Sequence, residues 1–380
     1  MRSGSSTTSA AVTRSWSRTP SAPTTSPTAP RTGSCSFSTP SRRKGPLFGP
    51  EKGAFASARG RTDRPLSARQ SGNTPGMITD TIRALARATS RLPKALPLAN
   101  RFFGGGSRQD IDGRVVFITG AARGLGAEIA RQAYARGAQV ALVGRRLDPL
   151  QQLADELGER AAAFEADVTD VEKLQRAAQD AVSTFGGIDV VVANAGIAPP
   201  SETVATIAPS EFERTVEVDL LGQWRTVRAT LPALVQRQGH ILFVGSIYAF
   251  FNGVLAAPYA VSKAGVEQLA RALRVELAPQ GLTTGIAYLG FIETDLAADV
   301  FAQQRATQVR QAIPSFVTRP IPVAEAARVV LDGIERRAAR ITAPAWVAPM
   351  LAMRGITTTV MDDLLLNNRA VAAAVSSADE

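Results

Sequence analysis

Ser246, Tyr259 and Lys263 are the residues of this 380-residue chain whose types and spacing could do chemistry. They fall in one stretch, S-I-Y-A-F-F-N-G-V-L-A-A-P-Y-A-V-S-K. It follows an apolar run, Ile241 to Val244, that reads as a buried parallel strand, and it leads into a helical pattern from about Tyr259. Four residues apart on a helix, Tyr259 and Lys263 project from one face toward a common target. A phenol with its ordinary pKa near ~10 shares a proton poorly at neutral pH, and a neighbouring ammonium favours the phenolate. Ser246, at the carboxyl end of the strand, would aim a hydroxyl at the same substrate oxygen. Taken alone, Tyr-x-x-x-Lys is an ordinary helix pair, so the elements around it must decide.

Those elements begin at Asp112. The run Val115-Val116-Phe117-Ile118 ends in Thr119-Gly-Ala-Ala-Arg-Gly-Leu-Gly126, and a helix pattern starts near Ala127. Gly120, Gly124 and Gly126, with Leu125 between them, allow a tight strand-to-helix turn in which backbone approaches a pyrophosphate at the helix N-terminus. The next strand, Gln139 to Val143, ends in Gly144-Arg145-Arg146. A site for NAD usually holds the ribose with a carboxylate there; Arg145, Arg146 and Arg123 suit a 2′-phosphate instead, which predicts NADP(H) over NAD(H). A third strand, Ala161 to Glu165, leads into Asp167-Val168, and a fourth, Ile188 to Val192, into Ala193-Asn194-Ala195-Gly196. Strands alternating with helices at this spacing predict a doubly wound parallel α/β sheet with its site at the strand carboxyl ends.

The chain resembles the short-chain dehydrogenase/reductase family from about Asp112 to at least Thr294. The resemblance rests on Thr119-Gly-x-x-x-Gly-x-Gly126, Asp167, Asn194-Ala-Gly, Ser246 and Tyr259-x-x-x-Lys263, in that order. It implies a single Rossmann-type sheet of about seven strands, with Tyr259 as general acid/base and Ser246 holding the substrate oxygen. Lys263 would lower the tyrosine pKa and bind the nicotinamide ribose. Asp167 and Val168 would meet the adenine, Asn194, Ala195 and Gly196 would line the cofactor cleft, and Ile292 with Thr294 would hold the carboxamide. Three positions depart from the family pattern: Ala193 replaces a frequent Asn, Leu289-Gly290 replaces Pro-Gly, and Asp219 in Val218-Asp219-Leu-Leu-Gly222 replaces a catalytic Asn. A carboxylate at Asp219 can orient water for a proton relay through Lys263, but cannot donate as an amide does, and its charge offsets part of the ammonium's effect on Tyr259.

Residues 1–76 are rich in Ser, Thr, Pro, Arg and Gly without apolar periodicity and predict a disordered extension. They carry 12 Lys and Arg against Glu51 and Asp63, leaving 31 basic and 31 acidic residues from Met77 onward. The basic pI therefore belongs to the extension, and nucleic acid is not an expected partner. The extension reads as an organelle transit peptide, as an arm for anionic surfaces or, the preferred reading, as a misplaced start with Met77 as the real first residue. A cytoplasmic protein is expected. Cys35 lies in this segment, so thiolate chemistry is excluded beyond it, and with His240 as the one histidine no metal is expected. His240 itself is expected at the surface or at a strand edge.

Residues 77–110 hold an amphipathic helix, broken at Pro93, that would pack on the domain or touch a membrane surface. The dinucleotide-binding domain is expected over 111–345. Substrate selection is expected from Ile247, Tyr248, Phe250, Phe251, Val254 and Leu255 and from a flap, Asp295 to Arg319, with Leu296, Val300, Phe301, Ile313 and Phe316. These predict a lipophilic ketone or secondary alcohol, steroid-, terpenoid- or lipid-like. A 3-oxoacyl-thioester reductase and a non-catalytic NADP(H)-binding scaffold are the alternatives. The apolar extension 346–380 is read as a buried core or oligomer helix rather than a membrane contact, and the resemblance implies a homodimer or homotetramer.

Overall fold

The computed structural model describes residues 108–378. The extension 1–76 and the amphipathic segment after Met77 lie outside them. Of the linker only residues 108–110 are described; there Arg108 pairs with Glu335 at 2.6 Å and Ile111 just beyond is buried.

Short, continuous apolar runs become strands because the sheet is covered on both faces. β1 (Val115–Thr119), α1 (Gly124–Ala135), β2 (Gln139–Gly144), α2 (Leu147–Leu157), β3 (Ala161–Glu165), α3 (Val171–Phe185) and β4 (Val190–Ala193) alternate. α4 (Pro209–Val216), a π-helical turn (Glu217–Leu221) and α5 (Gly222–Arg237) form one interrupted helix before β5 (His240–Val244). Then come α6 (Ala257–Glu276), β6 (Thr283–Leu289), α7 (Asp295–Phe301), α8 (Gln304–Ala312), α9 (Ser315–Thr318), α10 (Val323–Glu335) and β7 (Arg340–Ala343). Three helices, α11 (Val347–Ala352), α12 (Arg354–Leu366) and α13 (Arg369–Ser376), close the described chain.

All seven strands are parallel, in the order β3-β2-β1-β4-β5-β6-β7. The order reverses between β1 and β4, which opens a crevice beyond their carboxyl ends. One face of the sheet buries Ile118, Leu142, Ile129 and Leu331 with α1 and α10. The other buries Phe117, Phe243, Leu174 and Val266 with α3, α5 and α6. β4 starts two residues later than the apolar run suggests. Just before it, Asp189 turns its carboxylate onto the Val115 N–H at 2.9 Å and onto Arg114.

His240 is the clear correction to the sequence reading. It is 1% exposed, because β5 is flanked by β4 and β6 and its first residue pairs with Val190 on one side and Thr283 on the other. Its Nδ1 lies 2.9 Å from Thr283 Oγ1. Burial, then the charge of Arg337, lowers its pKa to about 3, so it is neutral near pH 7.

The flap is folded into α7, α8 and α9, and the C-terminal helices dock on it. Met361, Leu365 and Val371 pack with Phe251, Val254, Ala312 and Ile313. Leu255, Val309, Ala374 and Ala378 form a second small cluster. Asn252 Nδ2 donates to Asp362 Oδ1 at 2.9 Å, and Arg305 donates to the Ser377 carbonyl. Val371→Asp, a charge placed in this cluster, is expected to release α12 and α13 to limited proteolysis while the far-UV signal of the sheet persists; unchanged cleavage between residues 354 and 378 would contradict the packing.

Candidate active site

Thr119 ends β1 and Asn194 follows β4, and the two stitch the crevice together. Asn194 Nδ2 donates to the Thr119 carbonyl at 2.9 Å and to the Gly120 carbonyl at 3.3 Å. Thr119 Oγ1 accepts from the backbone N–H groups of Asn194 and Ala195 at 3.2 and 3.3 Å. Gly120 has φ +67°, and a Cβ there would come within 2.9 Å of Ala195 Cα. A Cβ on Gly126 would overlap the Gly120 carbonyl oxygen. Both glycines are needed for this close approach. The first turn of α1 carries no side-chain cap, so its N–H groups, Leu125 among them, have no side-chain acceptor.

Around this turn the expected cofactor residues gather. Thr294 Cγ2 would be 3.6 Å from a Cβ on Gly124, so the loop after β6 lies over the glycine turn. Thr294 Oγ1 also accepts from Ala297 N at 3.3 Å and caps α7, while Ile292 bridges to Ile321. Arg123 is 3.9 Å from Asp295 across an exposed surface, a contact worth little. Arg145 and Arg146 stand exposed beyond β2 and pair with no acid among the described residues. Asp167 uses its carboxylate on its own turn, accepting from Thr169 N and Oγ1, both at 2.9 Å. Val168 is buried against Gly222. A nucleotide fits this donor set: bare helix N–H groups for a pyrophosphate and free guanidinium groups at the end of β2.

Ser246, beyond the end of β5, accepts from Tyr248 N at 3.2 Å and starts a 3₁₀ turn, Ile247–Ala249. Its hydroxyl also hydrogen-bonds Tyr259. Tyr259 is in the first turn of α6, which Pro258 opens without losing a helix donor. Lys263, one turn on, reaches back to donate to the Val244 carbonyl at 3.2 Å, with Nζ 5.2 Å from the centre of the Tyr259 ring. Asp219 is fully buried on the π-helical turn, which breaks α4 from α5 and carries it toward the site. Its Oδ1 accepts from Ile197 N at 2.7 Å and its Oδ2 lies 3.7 Å from Lys263 Nζ. That is an ion pair too long for a hydrogen bond, so Oδ2 is without a hydrogen-bond partner among the described residues.

The electrostatics correct one expectation. Burial raises Asp219 to about 6 against the charge of Lys263, and burial lowers Lys263 against the charge of Asp219. Tyr259 is pushed up, first by burial, then by the Asp219 charge, with the Ser246 hydrogen bond opposing. Burial and the Asp219 charge together outweigh the lowering expected from Lys263. Sequence reasoning also missed the Thr119–Asn194 stitch and Gln223, whose Nε2 shares the Val244 carbonyl with Lys263 at 3.2 Å. Both are contacts between residues distant in the chain, and only the threonine of the glycine motif hinted at either.

A model of the family described as short chain dehydrogenase matches residues 114–305. The chain belongs to the short-chain dehydrogenase family. It is 30% identical over 218 residues to the 3-oxoacyl-(acyl-carrier-protein) reductase of Vibrio cholerae, covering 57% of this chain and 89% of that one. It is 33% identical to the cis-4-hydroxycyclohexanecarboxylate dehydrogenase of Sinomonas cyclohexanicum, covering 56% and 87%. Among solved structures, the 3-ketoacyl-(acyl-carrier-protein) reductase of Brucella melitensis complexed with NADH superposes with TM-score 0.56 at 27% identity, over 61% of this chain and 97% of that one. This short-chain dehydrogenase is accordingly an oxidoreductase of CH–OH and keto groups with a Rossmann-type nucleotide-binding sheet. Among the described residues no group of His, Cys, Asp and Glu could hold a metal, and no helix is long and apolar enough to cross a membrane.

Neutralising Asp219 removes the repulsion on the phenolate. Asp219→Asn is therefore expected to move the tyrosinate absorbance of Tyr259, read as a difference against Tyr259→Phe, to lower pH; an upward or absent shift would contradict the charge coupling.

Proposed function

We propose that this short-chain dehydrogenase is an NADP(H)-dependent oxidoreductase interconverting a ketone and a secondary alcohol on a lipophilic small molecule. The observation that carries the reading is the hydroxyl pair of Ser246 and Tyr259, gathered with Lys263 and Asp219 beside the glycine turn. When bound, the reduced nicotinamide supplies hydride to the carbonyl carbon. The chain supplies orientation and one proton. Ser246 accepts from Tyr248 N and turns its hydroxyl to Tyr259, so the two hydroxyls face the same substrate oxygen. Tyr259, held protonated at neutral pH by its raised pKa, acts as the acid that converts the forming alkoxide to alcohol, which favours reduction. Lys263 then gives a proton to the tyrosinate and is reprotonated from solvent, with Asp219 favouring its charged form.

Arg145 and Arg146, unpaired at the end of β2, support a 2′-phosphate over a bare ribose; Gly120, Gly124 and Gly126, with Asn194, Ala195 and Gly196, form the pyrophosphate crevice. Asp167 and Val168 are assigned to the adenine side, Ile292 and Thr294 to the carboxamide side. The relative named as a cis-4-hydroxycyclohexanecarboxylate dehydrogenase supports a cyclic substrate, whereas the Vibrio cholerae relative supports a 3-oxoacyl-thioester. Exposed Val261 and Val275 on α6 and Trp224 on α5 support association with a second copy.

A screen of ketones and alcohols with NADP(H), extended to acetoacetyl thioesters, tests the reading. Tyr259→Phe is expected to lower kcat at least about a hundredfold while NADPH still binds. Retained turnover would overturn the role of Tyr259, and a thioester turned over far better than any free ketone would favour the second substrate class. Arg145→Ala with Arg146→Ala is expected to weaken NADPH roughly tenfold or more and leave NADH within a few-fold. A wild-type preference for NADH would overturn the cofactor assignment.

A further inference from the structure

An aromatic row runs from the candidate acid to the flap. The rings of Tyr259 and Tyr248 are 5.7 Å apart at 85°, Tyr248 and Phe291 6.4 Å at 90°, and Phe291 and Phe301 5.2 Å at 48°. At its far end the Arg310 guanidinium lies 4.2 Å from the Phe301 ring centre. These side chains come from three segments that border the cleft: the loop after Ser246, the loop after β6, and the flap helices α7 and α8. Tyr248, Phe291, Phe301 and Arg310 are each only half-buried, unlike Ile247 and Leu255 nearby, which are core. They therefore form a wall with surface left to offer rather than a filled interior.

Arg310 stands out for what it lacks. The neighbouring flap arginine, Arg305, is bound to the Ser377 carbonyl, and Arg354 and Arg271 on other helices share Glu267. Arg310 has no ion pair or hydrogen bond with any described residue, only the ring beneath it. The ring fixes the plane of the guanidinium and leaves its N–H fork directed elsewhere. A half-buried fork of this kind is suited to a carboxylate or another oxyanion, and the contact would be strongest where the aromatic wall excludes water.

We propose that Arg310 is a specificity-determining residue that anchors an anionic group at the far end of the substrate. The substrate class is then a flat or cyclic apolar carbonyl compound bearing a terminal carboxylate or comparable oxyanion. Its carbonyl lies at Ser246 and Tyr259, its apolar body lies along Tyr248, Phe291 and Phe301, and its anion meets Arg310. This deepens the proposed reduction and rests on it for the position of the carbonyl. The anion contact stands on Arg310 alone.

The test uses the full chain and three keto acids of increasing length, 4-acetylbenzoate, 6-acetyl-2-naphthoate and 4′-acetylbiphenyl-4-carboxylate, each beside its methyl ester. Calorimetric binding with NADP⁺ present, and turnover with NADPH, are measured for wild type, Arg310→Gln and Arg310→Lys. At least one acid is expected to bind wild type about tenfold or more tighter than its ester. Arg310→Gln is expected to erase that difference by weakening the acid alone, with KM raised and kcat little changed, and Arg310→Lys to restore part of it. Esters that bind as well as or better than every acid, or an acid preference that survives Arg310→Gln, would overturn the anchor. So would a wild type that binds none of the six. Acids that bind in an Arg310-dependent way without being reduced uphold the anchor and count against the proposed reduction, which separates the two failures.

Discussion

Two opposite charges with almost no access to water govern the candidate site. Lys263 and Asp219 are 3% and 0% exposed, and each costs free energy to ionise where it lies. Neither has enough local hydrogen bonding to meet that cost by itself. Lys263 has the Val244 carbonyl and Asp219 has the Ile197 N–H, so each depends on the other at 3.7 Å. The rest of the site inherits this dependence. The carboxylate that favours a charged Lys263 against its burial is the one that disfavours a charged Tyr259. An asparagine at position 219 would leave the ammonium without an ionic partner but spare the phenol that repulsion. The aspartate therefore exchanges ease of proton removal for firmness of proton retention, which suits an acid better than a base.

Holding that pair in register requires the scaffold to converge from several directions. Asp219 comes from the π-helical turn between α4 and α5, Lys263 from α6, and Val244 from β5. A regular helix through 217–221 would turn residue 219 to another side, so the π-turn is part of the site's construction. On the cofactor side the convergence is closer still. Asn194 spends its amide on the carbonyls of Thr119 and Gly120, so its contribution to the crevice is to fix the backbone of the glycine turn. With Gly120 and Gly126 already at van der Waals limits, the β1–β4 junction has no room to adjust.

How much of this was legible in the sequence follows from which interactions are local. The strand runs and the glycine turn are sequence-contiguous, and β1, β2, β3 and β5 fall within a residue of their apolar runs. Parallel strands buried on both faces read clearly for that reason. The failures are contacts across the fold. The neighbours that bury His240 are β4 and β6, 50 residues before it and 43 after it in register. The upward push on Tyr259 comes from its burial and then from the Asp219 charge, neither of which spacing reveals. The sequence predicts that the Asp219 charge offsets part of the ammonium's effect on the phenol, but not that burial adds to it and carries the phenol upward.

The substrate side shows the same limit in another form. Apolar residues after Ser246 read equally well as pocket or core, and the structure divides them. Ile247 and Leu255 are buried, Leu255 at φ +58°, a backbone conformation that branched side chains rarely adopt. What holds Leu255 there is its packing with Val309 of the flap and Ala374 and Ala378 of the C-terminal segment. Phe251 is engaged by Trp346, stacked at 6.2 Å and 16°, and by the cluster of Met361 and Leu365. Tyr248, half-buried, packs its ring on Tyr259 and Phe291 instead. The loop that joins Ser246 to Tyr259 is thus gripped on its outer side by chain that lies about a hundred residues further on. The stretch beside Tyr259 can then be precise without being regular in secondary structure, because its geometry is imposed by what packs behind it.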